Sequence, residues 1–340
     1  VGSPDSRLPP VLRSLSSVVT QSIENDLSLL ICMKNSIARL AVLFSVAFSV
    51  LQSVPARAAD RIVAWGDISY DLTTNKNPRV AEIAAGCFHS VELQKNRTVI
   101  AWGDDRFGQC DVPARLKRRI VREIAAGNVH SLALLWNGTV VGWGPENGQY
   151  GDFGQCTVPS DLKRVKAIAA GALHSLALKK DGTVVAWGAN SSGQCDVPTN
   201  LTDVIAIAGG MYHSLALKKD GTVVGWGANE QGQTDVPAGL NHVVAIAAGG
   251  FHGLALKNDG TVVSWGTFGL AQCGVPEGLS NVVAIATGDC HGLALKRDGT
   301  VVTWGFNTAG QCTVPEGLTN VVEISARGNH SMAVVRERGR

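Results

Sequence analysis

Seven histidines stand at regular intervals along the chain: His89, His130, His174, His213, His252, His291 and His330. Seven Trp-Gly pairs keep the same beat, at Trp65, Trp102, Trp143, Trp187, Trp226, Trp265 and Trp304. Imidazole is the side chain that most readily holds a transition metal or moves a proton near neutrality. A metal site, however, needs three or four ligands converging at about 2 Å from one ion. Here each histidine belongs to its own copy of a repeat, which spreads the ligands instead of gathering them. We therefore read the histidines and tryptophans as scaffold, each histidine hydrogen-bonded within its own repeat unit and steadying a turn. No metal and no cofactor is expected.

The cysteines follow the same logic. Cys110, Cys156, Cys195, Cys273 and Cys312 occupy one repeat position, which Thr234 fills once. Equivalent positions in different repeats lie beyond the roughly 7 Å between Cα atoms that a disulfide can span. A threonine substitute also argues for a small buried side chain, so these are expected to be structural thiols. Cys87 and Cys290 fall in turns of non-adjacent repeats. No nucleophile elbow, HExxH, phosphate loop or CxxC pair occurs. No catalytic residue is named and no enzyme is expected.

The elements that must position these residues come from the repeat itself. The last five histidines are 39 residues apart, as are the last four tryptophans, and Trp follows His by 13 residues in every complete copy. Residues 243–266 read VVAIAAGGFHGLALKNDGTVVSWG, followed by a loop and a Q-C/T-x-V-P motif. Self-similarity at this period implies a solenoid or a propeller. One unit reads as four strands: an apolar inner strand, a Gly-x-x turn, a second strand from His, an Asp-Gly type I′ hairpin, a β-branched third strand ending in Trp-Gly, and a short outer strand at Gln-Cys-x-Val-Pro. His330 calls for a tryptophan beyond the last residue, Arg340, while Trp65 at the other end has no histidine before it. Joining the two ends completes a seventh unit and leaves no open sheet edge. The fold class is all-β, a seven-bladed β-propeller closed by N- and C-terminal strands. A linear solenoid would leave both half-repeats unpaired.

Composition agrees. Glycine is abundant at 39 residues, charged residues make up 17% and aromatics 6%, which suits short strands and tight turns. The chain has 30 basic and 28 acidic residues. Residues 1–58 hold five of the basic and three of the acidic ones, leaving 25 of each (30−5 and 28−3). A neutral domain gives no electrostatic case for nucleic acid. One basic run, Arg115, Lys117, Arg118, Arg119 and Arg122, is read as a solvated connection.

Residues 33–58 have the parts of a secretory signal peptide. Lys34 and Arg39 form a positive start, 40–51 is an apolar run, and Ala56-Arg57-Ala58 is a cleavage signal before Ala59. The apolar run falls short of the about 20 residues a membrane span needs; an uncleaved anchor is the other reading. Residues 1–32 are read as upstream sequence outside the natural product, and 59–340 as the mature propeller. The expectation is a secreted or periplasmic bacterial protein, monomeric, without a stable membrane span once cleaved.

The consensus AGxxHSLALKxDGTVVAWGxNxxGQ resembles the regulator-of-chromosome-condensation repeat family over nearly all of residues 61–336. The form ending in Q-C/T-x-V-P is similar to the family's secreted bacterial branch, which includes a β-lactamase-inhibitor propeller. The resemblance implies the propeller fold and a binding role. Nucleotide exchange, a property of eukaryotic members without signal peptides, is not carried over. Photoreception, which a plant member performs with additional tryptophans, is not expected either, because Trp136 is the only tryptophan off the scaffold position. Three copies depart from the pattern: Arg327 replaces the turn glycine of the last, the loop PENGQYGDFGQ is longer, and DISYDLTTNKNP lacks Q-x-x-V-P.

Specificity must then lie where copies differ. In an antiparallel meander the Gly-x-x-His turns and Trp-Gly loops share one face. Its variable positions are Phe88, Phe107, Tyr150, Phe153, Leu173, Met211, Tyr212, Phe251, Phe268 and Phe306. Aromatic residues anchor interfaces, so this set is the candidate surface for a protein partner of unknown identity; the same side chains could instead pack down between loops. The alternative is a secreted carbohydrate-binding or hydrolytic propeller with its site at the mouth of the central channel. Glu82, Glu123 and Glu323 share an inner-strand position that is alanine in the other four copies, and would supply its carboxylates.

Overall fold

Every repeat begins with a run such as Val243–Ala248, whose small and β-branched side chains fit a crowded, twice-covered strand. The computed structural model describes residues 60–68, 79–146, 148, 151–266 and 274–336. Tyr150, Phe268, Cys273, the processing site at Ala58 and Ala59, and everything before them lie outside the described residues. Strand β1 spans Asp60–Gly66. Blade 1 is β2 (Val80–Ala85), β3 (His89–Gln94) and β4 (Val99–Gly103); blade 2 is β5 (Val121–Ala126), β6 (Ser131–Leu135) and β7 (Val140–Trp143). Blade 3 is β8 (Val165–Ala170), β9 (His174–Lys179) and β10 (Val184–Gly188); blade 4 is β11 (Val204–Gly209), β12 (His213–Lys218) and β13 (Val223–Gly227). Blade 5 is β14 (Val243–Ala248), β15 (Gly253–Lys257) and β16 (Val262–Trp265); blade 6 is β17 (Val282–Thr287), β18 (His291–Lys296) and β19 (Val301–Gly305). The last two strands are β20 (Val321–Arg327) and β21 (His330–Arg336).

Each blade is a three-stranded antiparallel meander, and the seventh has the order β1-β21-β20. The chain's first described strand is thus the outer strand of the last blade, with Trp65 opposite Ser331 and Gly66 opposite His330. Inner strands β2, β5, β8, β11, β14, β17 and β20 each touch the next, and β20 touches β2, which closes the ring. Asp60 is buried at this seam, with Lys95 of blade 1 at 2.7 Å and Arg336 of β21 at 3.5 Å.

Two sequence expectations are corrected. Among the described residues the Gln-Cys-x-Val-Pro stretch does not form a fourth strand. Its amides are spent on local turns, as in Asp111 N–H to Gly108 O (3.1 Å) and Val112 N–H to Cys110 O (2.8 Å), and its proline has no N–H to give. The Asp-Gly hairpins are not type I′. Gly182 N–H bonds Lys179 O at 3.0 Å and Lys179 N–H bonds Thr183 O at 2.9 Å, while only the glycine, at φ 88°, is left-handed. This is a three-residue loop, a type I turn followed by a glycine bulge. Asp181 Oδ1 accepts Thr183 N–H (3.1 Å) and Oγ1–H (2.7 Å), so the aspartate holds the far side of the loop.

Blades pack large against small. Leu176 and Leu178 of β9 lie against Ala216 of β12, and Leu215 and Leu217 against Ala255 of β15. Blade 1 departs: Glu92 takes the alanine position, fully buried, and burial raises its carboxyl pKa. Every inner strand carries a bulge at its start, such as the register shift between Val80 and Glu82. The bulge re-aims the residue that follows.

Candidate functional site

The histidines are the first components of the face to be placed, and their role differs from the expectation. Each bond reaches across a seam between blades instead of staying within one. His89 Nε2 meets Ser131 Oγ of the next blade at 2.9 Å, His130 meets Ser175 at 3.1 Å, His174 meets Ser214 at 2.9 Å and His291 meets Ser331 at 2.9 Å. Each serine donates onward to a main-chain carbonyl: Ser131 to Gln109 O (3.0 Å) and Ser175 to Gln155 O (2.9 Å). That proton assignment requires histidine to carry its hydrogen on Nε2. The same carbonyls also receive the indole N–H of the following blade, Trp143 to Gln109 O (2.9 Å) and Trp187 to Gln155 O (3.0 Å). Ser331 and Trp65 repeat the arrangement on Gln311 O, both at 2.9 Å. One carbonyl thus staples two blades. Ser131, Ser175, Ser214 and Ser331 and the buried glutamines carry this role, and sequence reasoning had assigned them none.

Blades 5 and 6 have Gly253 and Gly292 where the serine would be, and His213 and His252 are left with neither ring nitrogen bonded among the described residues. Burial holds the histidines neutral: His89, His174, His213 and His291 fall to about 3, His252 and His330 to about 4, and His130 well below its usual value. The ring lies directly over the glycine three residues earlier, where a Cβ on Gly86 would collide with it. Among the described residues no cluster of His, Cys, Asp and Glu is placed to hold a metal. The thiols of Cys87, Cys110, Cys156, Cys195 and Cys312 form no disulfide. Cys110, Cys195 and Cys312 donate to the main-chain carbonyl six residues back, at 3.3, 3.2 and 3.2 Å, and burial pushes all three up, to about 12, 11 and 11.

The Gly-x-x-His turns are tied to one another around the channel mouth. Cys87 N–H bonds Gly127 O (3.2 Å), Asn128 bonds Ala172 O (3.0 Å), Ala172 bonds Gly210 O (3.0 Å), Met211 bonds Gly249 O (3.3 Å), Gly250 bonds Asp289 O (3.0 Å) and Asp289 bonds Gly328 O (3.0 Å). The Trp-Gly loops hang on the same turns: Asp104 N–H bonds Phe88 O (2.8 Å), Ala228 bonds Tyr212 O (2.9 Å) and Phe306 bonds Cys290 O (2.9 Å). Gly103 allows this approach, since at φ 114° a Cβ would sit 2.6 Å from Phe88 O. Turns and loops therefore share one face.

Arg327, the residue that breaks the glycine pattern, crosses the channel. Its Nη1 donates to Ala170 O and Gly209 O, both at 3.1 Å, and its Nε to Asn128 Oδ1 at 3.3 Å. One buried guanidinium from blade 7 so joins blades 2, 3 and 4. Burial lowers the Arg327 pKa, and the nearby Asp289 opposes that. Asp289 remains raised by burial despite the arginine, and Cys87 rises to about 12 from burial and then Asp289.

Deeper in the channel Glu323 Oε1 accepts Ile83 N–H (2.9 Å), Glu82 Oε2 accepts Ile124 N–H (3.3 Å) and Glu123 Oε1 accepts Ile168 N–H (3.0 Å). The three acids stitch blades 7, 1, 2 and 3 in succession. Burial raises Glu123 and Glu323 to about 7; it raises Glu82 well above the usual range, with Glu123 and then Glu323 adding repulsion.

The aromatic positions on the face divide. Phe88, Phe153, Tyr212 and Phe306 are exposed, Tyr212 at 39% and Phe306 at 48%. Phe107, Leu173, Met211 and Phe251 are half-buried, with the Arg106 guanidinium 5.9 Å from the Phe107 ring centre. Tyr212 and Phe251, from neighbouring turns, line one depression of about 290 Å³ with Ser192, Glu230, Gln231 and Gln233 of two Trp-Gly loops. No helix among the described residues is long and apolar enough to cross a membrane.

Comparison with known proteins places this architecture. The chain shares its fold with Prp20p of Saccharomyces cerevisiae (TM-score 0.71, 22% identity, covering 84% of this chain and 93% of that one), in a study that describes the binding of Prp20p to Gsp1p and histones. Yeast RCC1 (Prp20) bound to Kap60 aligns with TM-score 0.68 at 21% identity over 87% of this chain and 96% of that one. Human WBSCR16 aligns with TM-score 0.63 at 21% identity over 82% and 99%. No curated protein sequence matches. The profile of the regulator of chromosome condensation (RCC1) repeat matches residues 165–194, 204–233, 243–271 and 282–311, which are blades 3 to 6. Four tandem repeats of the regulator of chromosome condensation type thus lie within a seven-bladed propeller that shares its fold with these proteins.

Proposed function

We propose that this propeller is an exported, non-enzymatic binding protein that holds a protein partner on the face of Gly-x-x-His turns and Trp-Gly loops. The observation that carries the reading is the depression between Tyr212 and Phe251. An aromatic pair beside a preformed hollow is the usual anchor of a protein interface. The rigidity of the face supports it too, because the turns are bonded to each other and little ordering remains to be done on binding. Propellers with this fold are found with protein partners, as yeast RCC1 is with Kap60. The channel carboxylates favour a catalytic reading less, because each commits an oxygen to a neighbouring blade's N–H and Arg327 occupies the mouth.

The test is capture of partners from secreted proteins with this chain as bait, followed by Tyr212→Ala and Phe251→Ala. The pair should weaken binding by about 2 kcal/mol or more. Unchanged affinity for an identified partner removes this face. Export is checked by N-terminal sequencing of the product made by a bacterial host: a start at Ala59 is expected, and retention of Met33 overturns it.

A further inference from the structure

The hairpin end of the ring, opposite the aromatic face, carries a different chemistry. In blades 3 to 6 each hairpin holds its own ion pair: Lys179 with Asp181 (3.1 Å), Lys218 with Asp220 (3.3 Å), Lys257 with Asp259 (3.4 Å) and Lys296 with Asp298 (3.7 Å). Each of these lysines is thus met by an aspartate of its own hairpin, which leaves at most one further basic residue there, Lys180, Lys219 or Arg297. Blade 2 breaks the pattern at three consecutive positions, with Leu135 in place of the lysine, Trp136 after it and Asn137 in place of the aspartate. The connection that ends beside this hairpin is the 3₁₀ turn Ala114–Arg118. Its Arg115, Lys117 and Arg118, with Arg119 following, are all exposed. Among the described residues no carboxylate forms an ion pair with any of the four.

Cations and apolar surface meet at one place. Trp136 N–H bonds Ile120 O at 2.9 Å, which ties hairpin to connection. Both side chains stand in solvent, Trp136 at 68% and Ile120 at 59% exposure. Beside them opens a groove of about 390 Å³, with Leu116, Leu135, Val140 and Val158 on its walls and Arg115 and Arg119 on its rim.

We propose that this groove docks a short acidic segment of a protein partner, one apolar side chain seated against Leu116 and Leu135 and its flanking carboxylates met by Arg115 and Arg119. Guanidinium groups pair with carboxylates through two parallel hydrogen bonds. The exposed indole beside them offers a large anchoring surface at little entropic cost. A nucleic acid or an anionic membrane fits less well. Both need positive charge along a track or across a plane, whereas the exposed hairpin cations of the following blades, Lys180, Lys219 and Arg297, each stand next to a hairpin aspartate. The aspartates of the next four hairpins stand on the same end of the ring and oppose any extended polyanion.

The experiment titrates the full chain with a fluorescein-labelled peptide, Glu-Glu-Glu-Leu-Phe-Glu-Glu-Glu, at low salt, reading anisotropy and Trp136 emission. Saturable binding is expected, with a shift in Trp136 emission that W136F abolishes. R115E/R119E should weaken it by about tenfold or more, and W136A severalfold. A control peptide with serine for glutamate should bind at least about tenfold more weakly. The Y212A/F251A protein should bind the peptide as the unaltered chain does, which separates this site from the face proposed above. R115Q/R119Q, which keeps much of the aliphatic stem, serves if charge reversal lowers the melting temperature. Equal binding of both peptides, or no effect of R115E/R119E and R115Q/R119Q, overturns the proposal. So does displacement of the peptide by oligothymidylate or by phosphatidylserine vesicles that bind more tightly.

Discussion

Acid should dismantle this ring, and the structure says through which groups. Seven imidazoles are buried and held neutral, most of them near 3 to 4. In the unfolded chain they return to about 6.5. Because the folded values lie below the unfolded one, their contribution is intact above about pH 6.5 and is lost as pH falls toward the folded values. Each costs roughly 1.3 kcal/mol between about pH 7 and about pH 5.5, so the seven together cost roughly 9 kcal/mol. The channel acids act with the opposite sign. Their folded values lie above the unfolded one, so their burial penalty is full above about pH 7 and is relieved as pH falls toward about 4.3. Glu123 and Glu323, at about 7, return roughly 3 kcal/mol over the same interval, and Glu82 adds in the same direction. Glu92 and Asp289, whose carboxyls burial also raises, act in the same direction, and the seven imidazoles outweigh the five acids. The net loss is several kcal/mol against a total stability of about 5–15 kcal/mol. Urea titrations followed by circular dichroism at about pH 8, 7, 6 and 5.5 should show the midpoint falling steadily, and the ring opening near about pH 5. Stability that is flat or rising from about pH 7 to about pH 5.5 would refute buried neutral histidines as the organising feature of the seams.

Three further outcomes can be measured by melting. Arg327→Met leaves Asp289 buried without its cation and should cost about 3–5 kcal/mol; Asp289→Asn in the same chain should restore part of it, and the deficit of the single variant should narrow as pH falls and Asp289 takes up a proton. Ser175→Ala removes both the partner of His130 Nε2 and one donor to Gln155 O, and a loss of about 1–3 kcal/mol is expected, whereas Gly253→Ser should not stabilise because its Cβ would run into the Trp265 ring. Trp65→Ala empties a buried site on β1 and removes one of the two donors to Gln311 O; about 3–5 kcal/mol should be lost, and a loss below about 1 kcal/mol would mean that closure does not rest on this strand.

The architecture was legible because its cause is periodic. Regular His and Trp positions marked seven units, and the half-units at Trp65 and His330 showed how the ring closes. What stayed hidden depends on relations between units. Whether His130 bonds within its blade or across to Ser175 is a matter of blade rotation, which a single repeat does not encode. The missing fourth strand turned on how Gln-Cys-x-Val-Pro spends its amides, and the hairpin type on whether one residue or two are left-handed; strand propensity addresses neither. Arg327 was visible as a departure, but its reach to Ala170 and Gly209 required the ring to exist. The basic run at Arg115–Arg119 is exposed, as a solvated connection should be, and only comparison with the Lys–Asp pairs of blades 3 to 6 sets its neighbourhood apart.

The seventh blade has a kinetic consequence. Asp60 and Arg336 face each other across the seam, so the contacts that finish the sheet join residues nearly the whole described chain apart. Closing so long a loop is entropically slow. While the chain is being synthesised, β1 has no partner until β21 has left the ribosome, and the growing product is an open arc with a bare strand edge at each end. Such edges can pair with those of other chains. A late stop codon should therefore yield an aggregating product, not a six-bladed propeller, although it removes only a few per cent of the sequence.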